Sequence, residues 1–285
     1  MKLFRFGEFE KEKPGVLISS GNKIDISSYK EDYNEHFFNT NGLSRLSEWL
    51  IVNAQNCPSV PDTMRIGSCI ARPSKIICIG LNYAQHALET HAAIPTEPII
   101  FLKSTTALCG PFDPVIIPKN SRKTDWEVEL AVVIGKKACY IDEDQAMDYV
   151  AGYALHNDYS EREFQLERGG QWVKGKSANT FAPLGPFLVT KDEIKDPQNL
   201  NLWLSVNGDK LQNSNTNDMI FNIPFLISYL SQFMTLLPGD LISTGTPFGV
   251  GLGFKPPRYL SAGDVVELGI DGLSTQKQTA VNYSK

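Results

Sequence analysis

Apolar residues along most of this chain fall in short runs broken by glycine, proline and asparagine, a pattern of strands rather than of long helices. Strands are expected at Leu3–Phe6 and Val16–Ile18, with turns at Pro14-Gly15 and Gly21-Asn22. Leu43, Leu46, Trp49 and Leu50 then recur at helical spacing. The proline- and glycine-containing segment from Pro58 to Pro73 reads as a linker. The pattern therefore divides into a small N-terminal α+β domain over residues 1–70 and a larger domain over 71–285.

The larger domain opens on the strand Lys75–Gly80 and passes through Leu81-Asn82-Tyr83 into a short helix from Ala84 to Thr90. Strands follow at Ile99–Leu102 and Val115–Ile117, either side of the Gly110-Pro111 turn. Asp125–Gly135 reads as one strand whose apolar second half is buried. Asp142 is placed to cap a helix over Glu143–Tyr149, and Gly152 ends it before a strand that runs to Asp158. Asn207-Gly208, between Leu200–Val206 and Asp209–Gln212, signals a type I′ hairpin. Pro224 opens a helix that turns Ile227, Leu230 and Met234 inward. Leu241–Pro247, Val265–Ile270, the Asp271-Gly272 turn and a strand from Thr275 to Val281 complete a fold that is mainly β with short helices.

Polar residues inside this apolar frame carry the chemistry. Side chains two apart on a strand point the same way, so Glu127 and Glu129 share a face. Two carboxylates about 5 Å apart repel by roughly 3 kcal/mol at an effective dielectric near 20, so a site walled by Val132, Val133 and Ile134 needs a cation or a shared proton. A Glu-x-Glu strand by itself is most often a solvated face paired with lysines. Asp158, at the end of a second apolar strand, changes that balance: three carboxylates without a soft ligand suit Mg²⁺ or Mn²⁺ better than zinc, and leave positions open for substrate and water.

His86 and Glu89 stand three apart on the short helix, where a carboxylate orients an imidazole and raises its basicity; alone, such a pair is commonly incidental on a surface helix. His91 reads as surface, and His156 as a hydrogen-bonded structural histidine. Arg162, Gln165 and Lys176 would donate to a carboxylate substrate or a developing enolate. Gly245 and Thr246, in Thr244-Gly245-Thr246-Pro247, put a bare N–H and a small hydroxyl where a ligand oxygen could approach. Lys174-Gly175-Lys176-Ser177 echoes the end of a phosphate-binding loop, but Gln171 stands where its upstream glycine belongs.

Composition narrows the partners. A net charge of -5 and a pI near 5.5, without a dense Lys/Arg run, argue against nucleic acid and anionic membranes. No apolar run is long enough to span a bilayer, and charged residues follow Met1–Arg5 where a signal peptide would carry its apolar core, so a cytoplasmic protein is expected. Cys57, Cys69, Cys78, Cys109 and Cys139 are odd in number and scattered, which fits reduced thiols, with Cys78 a small core residue between isoleucines.

In this order, Gly80-Leu81-Asn82-Tyr83 with His86 and Glu89, the Asp125–Gly135 strand, Asn157-Asp158-Tyr159-Ser160, Arg162 with Gln165, Gly175-Lys176-Ser177, Pro183-Leu184-Gly185-Pro186 and Thr244-Gly245-Thr246-Pro247 resemble the fumarylacetoacetate hydrolase family. The resemblance runs from about Lys75 to the end. It implies a mixed β-roll catalytic domain, a homodimer, Mg²⁺ or Mn²⁺ on Glu127, Glu129 and Asp158, and a lid carrying His86 and Glu89. Ser160-Glu161-Arg162, Glu167–Trp172 and Gly251–Leu260 are similar to the branch that hydrolyses 2,4-diketo-3-deoxy-L-fuconate and -L-rhamnonate, relatives of which are often labelled ureidoglycolate lyase.

Three positions depart from that pattern: Asn179 for an aspartate, Glu163 for aspartate or alanine, and Ser274 for a glycine. Of these, Asn179 is the one expected to weaken an active-site hydrogen bond. The implied reaction is hydrolysis of a carbon–carbon bond in a 2,4-diketo acid, giving pyruvate and a second carboxylic acid such as lactate. His86, oriented by Glu89, is the base; Lys176 stabilises the enolate; Arg162, Gln165, Gly245 and Thr246 contact substrate. Decarboxylation of oxaloacetate or another β-keto acid, acylpyruvase or ureidoglycolate lyase activity on the same site, and a binding protein on the same fold are the alternatives.

Overall fold

The computed structural model describes residues 1–89 and 93–284. The strands of its main sheets are β1 (Lys2–Phe6), β2 (Lys13–Leu17), β3 (Lys23–Asp25), β4 (Ile76–Gly80), β5 (Ile99–Lys103), β6 (Val115–Ile117) and β7 (Val128–Ile134). They continue as β8 (Val150–Asn157), β9 (Leu188–Thr190), β10 (Asn201–Val206), β11 (Asp209–Asn215), β12 (Leu241–Ser243), β13 (Val265–Ile270) and β14 (Ser274–Asn282). The helices are α1 (Glu35–Asn39), α2 (Gly42–Asn53), α3 (Ala84–Glu89), α4 (Val173–Lys176) and α5 (Ile223–Phe233).

Among the described residues, one sheet of nine strands has the order β3-β2-β1-β9-β8-β7-β12-β4-β5, and a second of five has the order β11-β10-β13-β14-β6. The continuously apolar strands take the middle of the larger sheet. β7 and β8 are buried at every position, because the second sheet packs on one of their faces: β10 and β13 meet β7, and β14 meets β8. The expected mainly β class with short helices is what the chain adopts. Asn207 (φ 53°) and Gly208 (φ 87°) both take the left-handed conformation that the hairpin between β10 and β11 requires.

Residues 1–70 share their sheet with the rest of the chain. β1 pairs antiparallel with β9, Lys2 opposite Val189 and Leu3 opposite Leu188. The segment expected as a linker is packed: Val60, Ile66, Cys69 and Ile70 are buried, and Arg65 bonds Glu12 on one side and Asp113 on the other. At the crowded joint, Gly152 leaves no room for a side chain, since a Cβ there would overlap the Val189 carbonyl oxygen. Gly152→Ala should cost about 3 kcal/mol, because backbone rather than a flexible side chain must yield; a denaturant melt checks this, and an unchanged midpoint would contradict it.

Two local expectations are corrected. Asp142 makes no side-chain cap, and Glu143–Tyr149 is a 3₁₀ segment rather than an α-helix. The Asp125–Gly135 stretch is not one strand: Thr124–Asp125 pairs with Ser160–Glu161, the chain breaks at Trp126-Glu127, and β7 then begins. The cause is tertiary, since Trp126 is fully buried and its indole N–H donates to the Gly249 carbonyl at 3.0 Å. All five cysteines are unpaired; Cys69, Cys78 and Cys109 are buried, and Cys139 is exposed. Among the described residues, no helix is long and apolar enough to cross a membrane.

Candidate active site

The register of β7 against β8 assembles the acidic cluster. His156 lies opposite Glu129 and Asn157 opposite Val128, so Glu127 and Asp158 meet just beyond the strand ends. There the Asp158 N–H donates to the Glu127 carbonyl at 2.9 Å, and the Glu127 N–H to Asn157 Oδ1 at 3.0 Å. The break at Trp126 thus places Glu127 outside the ladder without taking it from the side of Glu129. One carboxylate oxygen from each of Glu127, Glu129 and Asp158 lies within 4.8 Å of the others, and all three residues are buried.

Cations surround this cluster unevenly. Lys176 Nζ donates to Glu127 Oε2 at 2.7 Å and to Asp158 Oδ2 at 2.8 Å. Lys103, from β5, approaches the other Asp158 oxygen and donates to the Tyr159 carbonyl at 3.0 Å. Arg162 bonds Asp125 through Nε at 2.8 Å, Glu127 through one terminal nitrogen at 2.7 Å and Gln165 Oε1 through the other at 3.0 Å. Glu129 accepts only from neutral groups in these contacts, the Ser243 hydroxyl at 2.5 Å and the Gly245 N–H at 3.0 Å.

The pairing is therefore uneven: Asp125, Glu127 and Asp158 are ion-paired with the buried cations Lys103, Arg162 and Lys176, and Glu129 takes part in none of these pairs. The consequence is felt at Glu129, which burial and then the charges of Asp158 and Glu127 push well above the ordinary carboxylate range. Burial also pushes Asp158 up, but Lys103 and Lys176 outweigh it and hold that group low. For Lys176, burial is outweighed by Asp158 and Glu127, so it stays a cation. A hard divalent ion fits this set. It would supply the charge Glu129 lacks and meet oxygen donors alone, and a carboxylate oxygen that accepts one hydrogen bond keeps a second lone pair for a metal.

A cavity of roughly 240 Å³ opens onto the cluster, with Glu127, Glu129, Arg162, Gln165, Lys176 and Thr246 on its polar side. His86, on α3, faces the same space and is only 7 % exposed; its Nδ1 lies 3.4 Å from Glu89 Oε2. Glu89 is anchored by the Gly249 N–H at 3.0 and 3.1 Å. The helix expected from Ala84 to Thr90 is described as far as Glu89; Thr90 and His91 lie outside the described residues.

The residues singled out in the sequence thus converge, with two adjustments. Gly245 turns its N–H to Glu129 instead of into the cavity. Asn179 lines a different cleft, as do Thr180 and Arg65, and is not among the described residues that line the cavity at the triad. Ser274 holds the positive φ (76°) that explains a glycine preference at that turn. His156 is a hydrogen-bonded core histidine: burial lowers it to about 3, and its Nδ1 lies 2.6 Å from Ser243 Oγ. Because the Ser243 hydroxyl uses its one hydrogen on Glu129, His156 must present an N–H to it.

Sequence reasoning missed Lys103, Asp125, Gln212 and Ser243. Asp125 accepts from the N–H groups of Gly251 (2.6 Å) and Leu252 (2.9 Å) as well as from Arg162, so one carboxylate fixes both the glycine-rich loop and the guanidinium. Gln212 ties β11 to the site, accepting from the Val128 N–H at 3.0 Å and donating to Thr246 Oγ1 at 2.9 Å. Asp125→Ala should cost about 3–5 kcal/mol in a denaturant melt, because Arg162 is left partly unpaired in the interior; a loss under about 1 kcal/mol would contradict this placement.

The fold has known counterparts. Residues 75–281 match the model of the fumarylacetoacetate (FAA) hydrolase C-terminal family. A Burkholderia ambifaria protein named "Putative hydrolase" is 52% identical over 283 residues, covering 99% of both chains. The solved fumarylacetoacetate hydrolase of Exiguobacterium antarcticum is 31% identical, with a TM-score of 0.85 over 99% of this chain and 100% of that one. Maleylpyruvate hydrolase from Sphingobium sp. SYK-6, solved with manganese(II) and pyruvate, is 30% identical with a TM-score of 0.83, covering 100% of both chains. The chain belongs to the fumarylacetoacetate hydrolase family.

Proposed function

We propose that this protein hydrolyses a carbon–carbon bond in a 2,4-diketo acid, releasing pyruvate and a second carboxylic acid. The observation that carries the reading is a buried, incompletely neutralised carboxylate triad sharing one cavity with a His-Glu pair. Glu127, Glu129 and Asp158 would hold Mg²⁺ or Mn²⁺, which would supply a Lewis acid for a keto acid. The complex of a solved neighbour with manganese and pyruvate supports that assignment.

The chain's own groups divide the remaining work. His86 takes a proton from a water that adds to the 4-oxo carbon, and Glu89 steadies the ring as it becomes charged. As the bond between carbons 3 and 4 breaks, its electron pair moves into the pyruvate enol system, and Lys176, which lines the cavity, stabilises the developing negative charge. Arg162 and Gln165 hold substrate oxygens; Thr246, whose hydroxyl donates to the Val128 carbonyl at 3.0 Å, has only its backbone N–H to add. The proton that His86 took from water is then delivered to carbon 3, which yields pyruvate and restores the neutral base.

Motif similarity favours 2,4-diketo-3-deoxy-L-fuconate or -L-rhamnonate, which would give lactate as the second product. A homodimer located in the cytoplasm belongs to the same proposal. The test is a panel of 2,4-diketo acids with Mg²⁺ or Mn²⁺, assayed for pyruvate with and without chelator. Chelator-sensitive release of pyruvate with an equal amount of a second acid is expected. Release of CO₂ from oxaloacetate without activity on any diketo acid would replace hydrolysis by decarboxylation.

A further inference from the structure

The cavity has two kinds of lining. Beside its carboxylates and cations, the described lining residues include six apolar ones: Ile79, Leu81, Phe101, Leu166, Trp172 and Leu252. Phe101 and Trp172 pack ring to ring, their centroids 5.2 Å apart. Trp172 in turn sits on Gly80, where a Cβ would lie 2.6 Å from the indole. The missing side chain at position 80 therefore seats this tryptophan.

Charge is as unevenly placed. The cations among the described lining residues, Arg162 and Lys176, are both bonded to carboxylates. Lys176 Nζ stands 4.8 Å from the centroid of Phe101. A second carboxylate beside Phe101 and Trp172 would meet apolar groups and, among the described lining residues, the cations Arg162 and Lys176 already bonded to carboxylates, an unfavourable exchange. Volume sets a further limit. A cavity of about 150 Å³ holds benzene, so roughly 240 Å³ accommodates on the order of ten non-hydrogen atoms. The keto-acid head takes about six of these, which leaves a short arm.

Resting on the function proposed above, we infer that Phe101, Trp172, Leu166 and Leu252 form an apolar subsite that selects substrates whose remote arm is short and uncharged. A substrate whose arm ends in a carboxylate, as that of maleylpyruvate does, is disfavoured. Trp172 is the specificity-determining residue, because it closes the subsite.

Binding of two 2-oxo acids of equal chain length, which the chain cannot hydrolyse, tests this in the Mn²⁺-loaded protein. 2-Oxohexanoate ends in a methyl group and 2-oxoadipate in a carboxylate. Calorimetric titration is expected to give at least tenfold tighter binding of 2-oxohexanoate. Trp172→Ala should weaken 2-oxohexanoate by about tenfold or more. Leu166→Arg, at a half-exposed position that tolerates a polar residue, should narrow or invert the preference by offering 2-oxoadipate a counter-charge. Equal binding of the two acids by the unaltered protein, or a preference that neither variant moves, would overturn the inference. Failure of both acids to bind would instead remove the keto-acid reading on which it rests.

Discussion

Glu129→Gln should abolish the thermal stabilisation that Mn²⁺ confers and reduce pyruvate release by at least about a thousandfold, while the metal-free protein melts no lower than the unaltered one. These outcomes separate charge from shape. Glu129 accepts from the Ser243 hydroxyl and the Gly245 N–H, and a glutamine carbonyl can accept from both. The substitution thus keeps the local hydrogen bonds and removes the one carboxylate that burial and its acidic neighbours disfavour. A site that merely stacks buried charges would gain stability and lose nothing else. A metal site gains stability when empty and loses its response to Mn²⁺. Melting curves with Mn²⁺ and with chelator, beside a pyruvate assay, read both arms. A full Mn²⁺-dependent shift in the variant would exclude Glu129 as a ligand.

His86→Ala should lower kcat by about 10²- to 10⁴-fold and leave Mn²⁺ affinity within about twofold of the unaltered protein. His86 faces the cavity from α3 rather than from the carboxylate strands, so its removal leaves the triad and its lysines in place. Glu89→Gln should cost less, since an amide oxygen still accepts from the Gly249 N–H but no longer favours the protonated ring. Steady-state kinetics paired with Mn²⁺ titration separates the roles. A His86 variant that lost metal binding in parallel with turnover would place the histidine in the metal shell and not at the proton.

What the sequence disclosed follows from the range of the interactions involved. Strand periodicity set Glu127 and Glu129 on one side, and a second apolar run pointed to Asp158, because side-chain alternation is local and survives even the break at Trp126. Lys103 was hidden for the opposite reason. At the end of Ile99–Lys103 it looks like a strand-ending surface charge, and only the fold brings it to Asp158, 55 positions on. Asp125 was read as part of a strand, whereas its oxygens hold a loop that lies 126 and 127 positions away. The union of residues 1–70 with the larger sheet depends on β1 meeting β9 across a larger separation still, with Lys2 opposite Val189. Tertiary contact also decided Gly245, whose N–H the sequence offers to a ligand and the fold gives to Glu129.

The central claim is that Glu127, Glu129 and Asp158 jointly hold one hard divalent ion. The most direct measurement is anomalous diffraction near the manganese edge from crystals grown with Mn²⁺. The account requires one strong peak between these three side chains, about 2 Å from an oxygen of each. A featureless map there, or a peak on other residues, would contradict it.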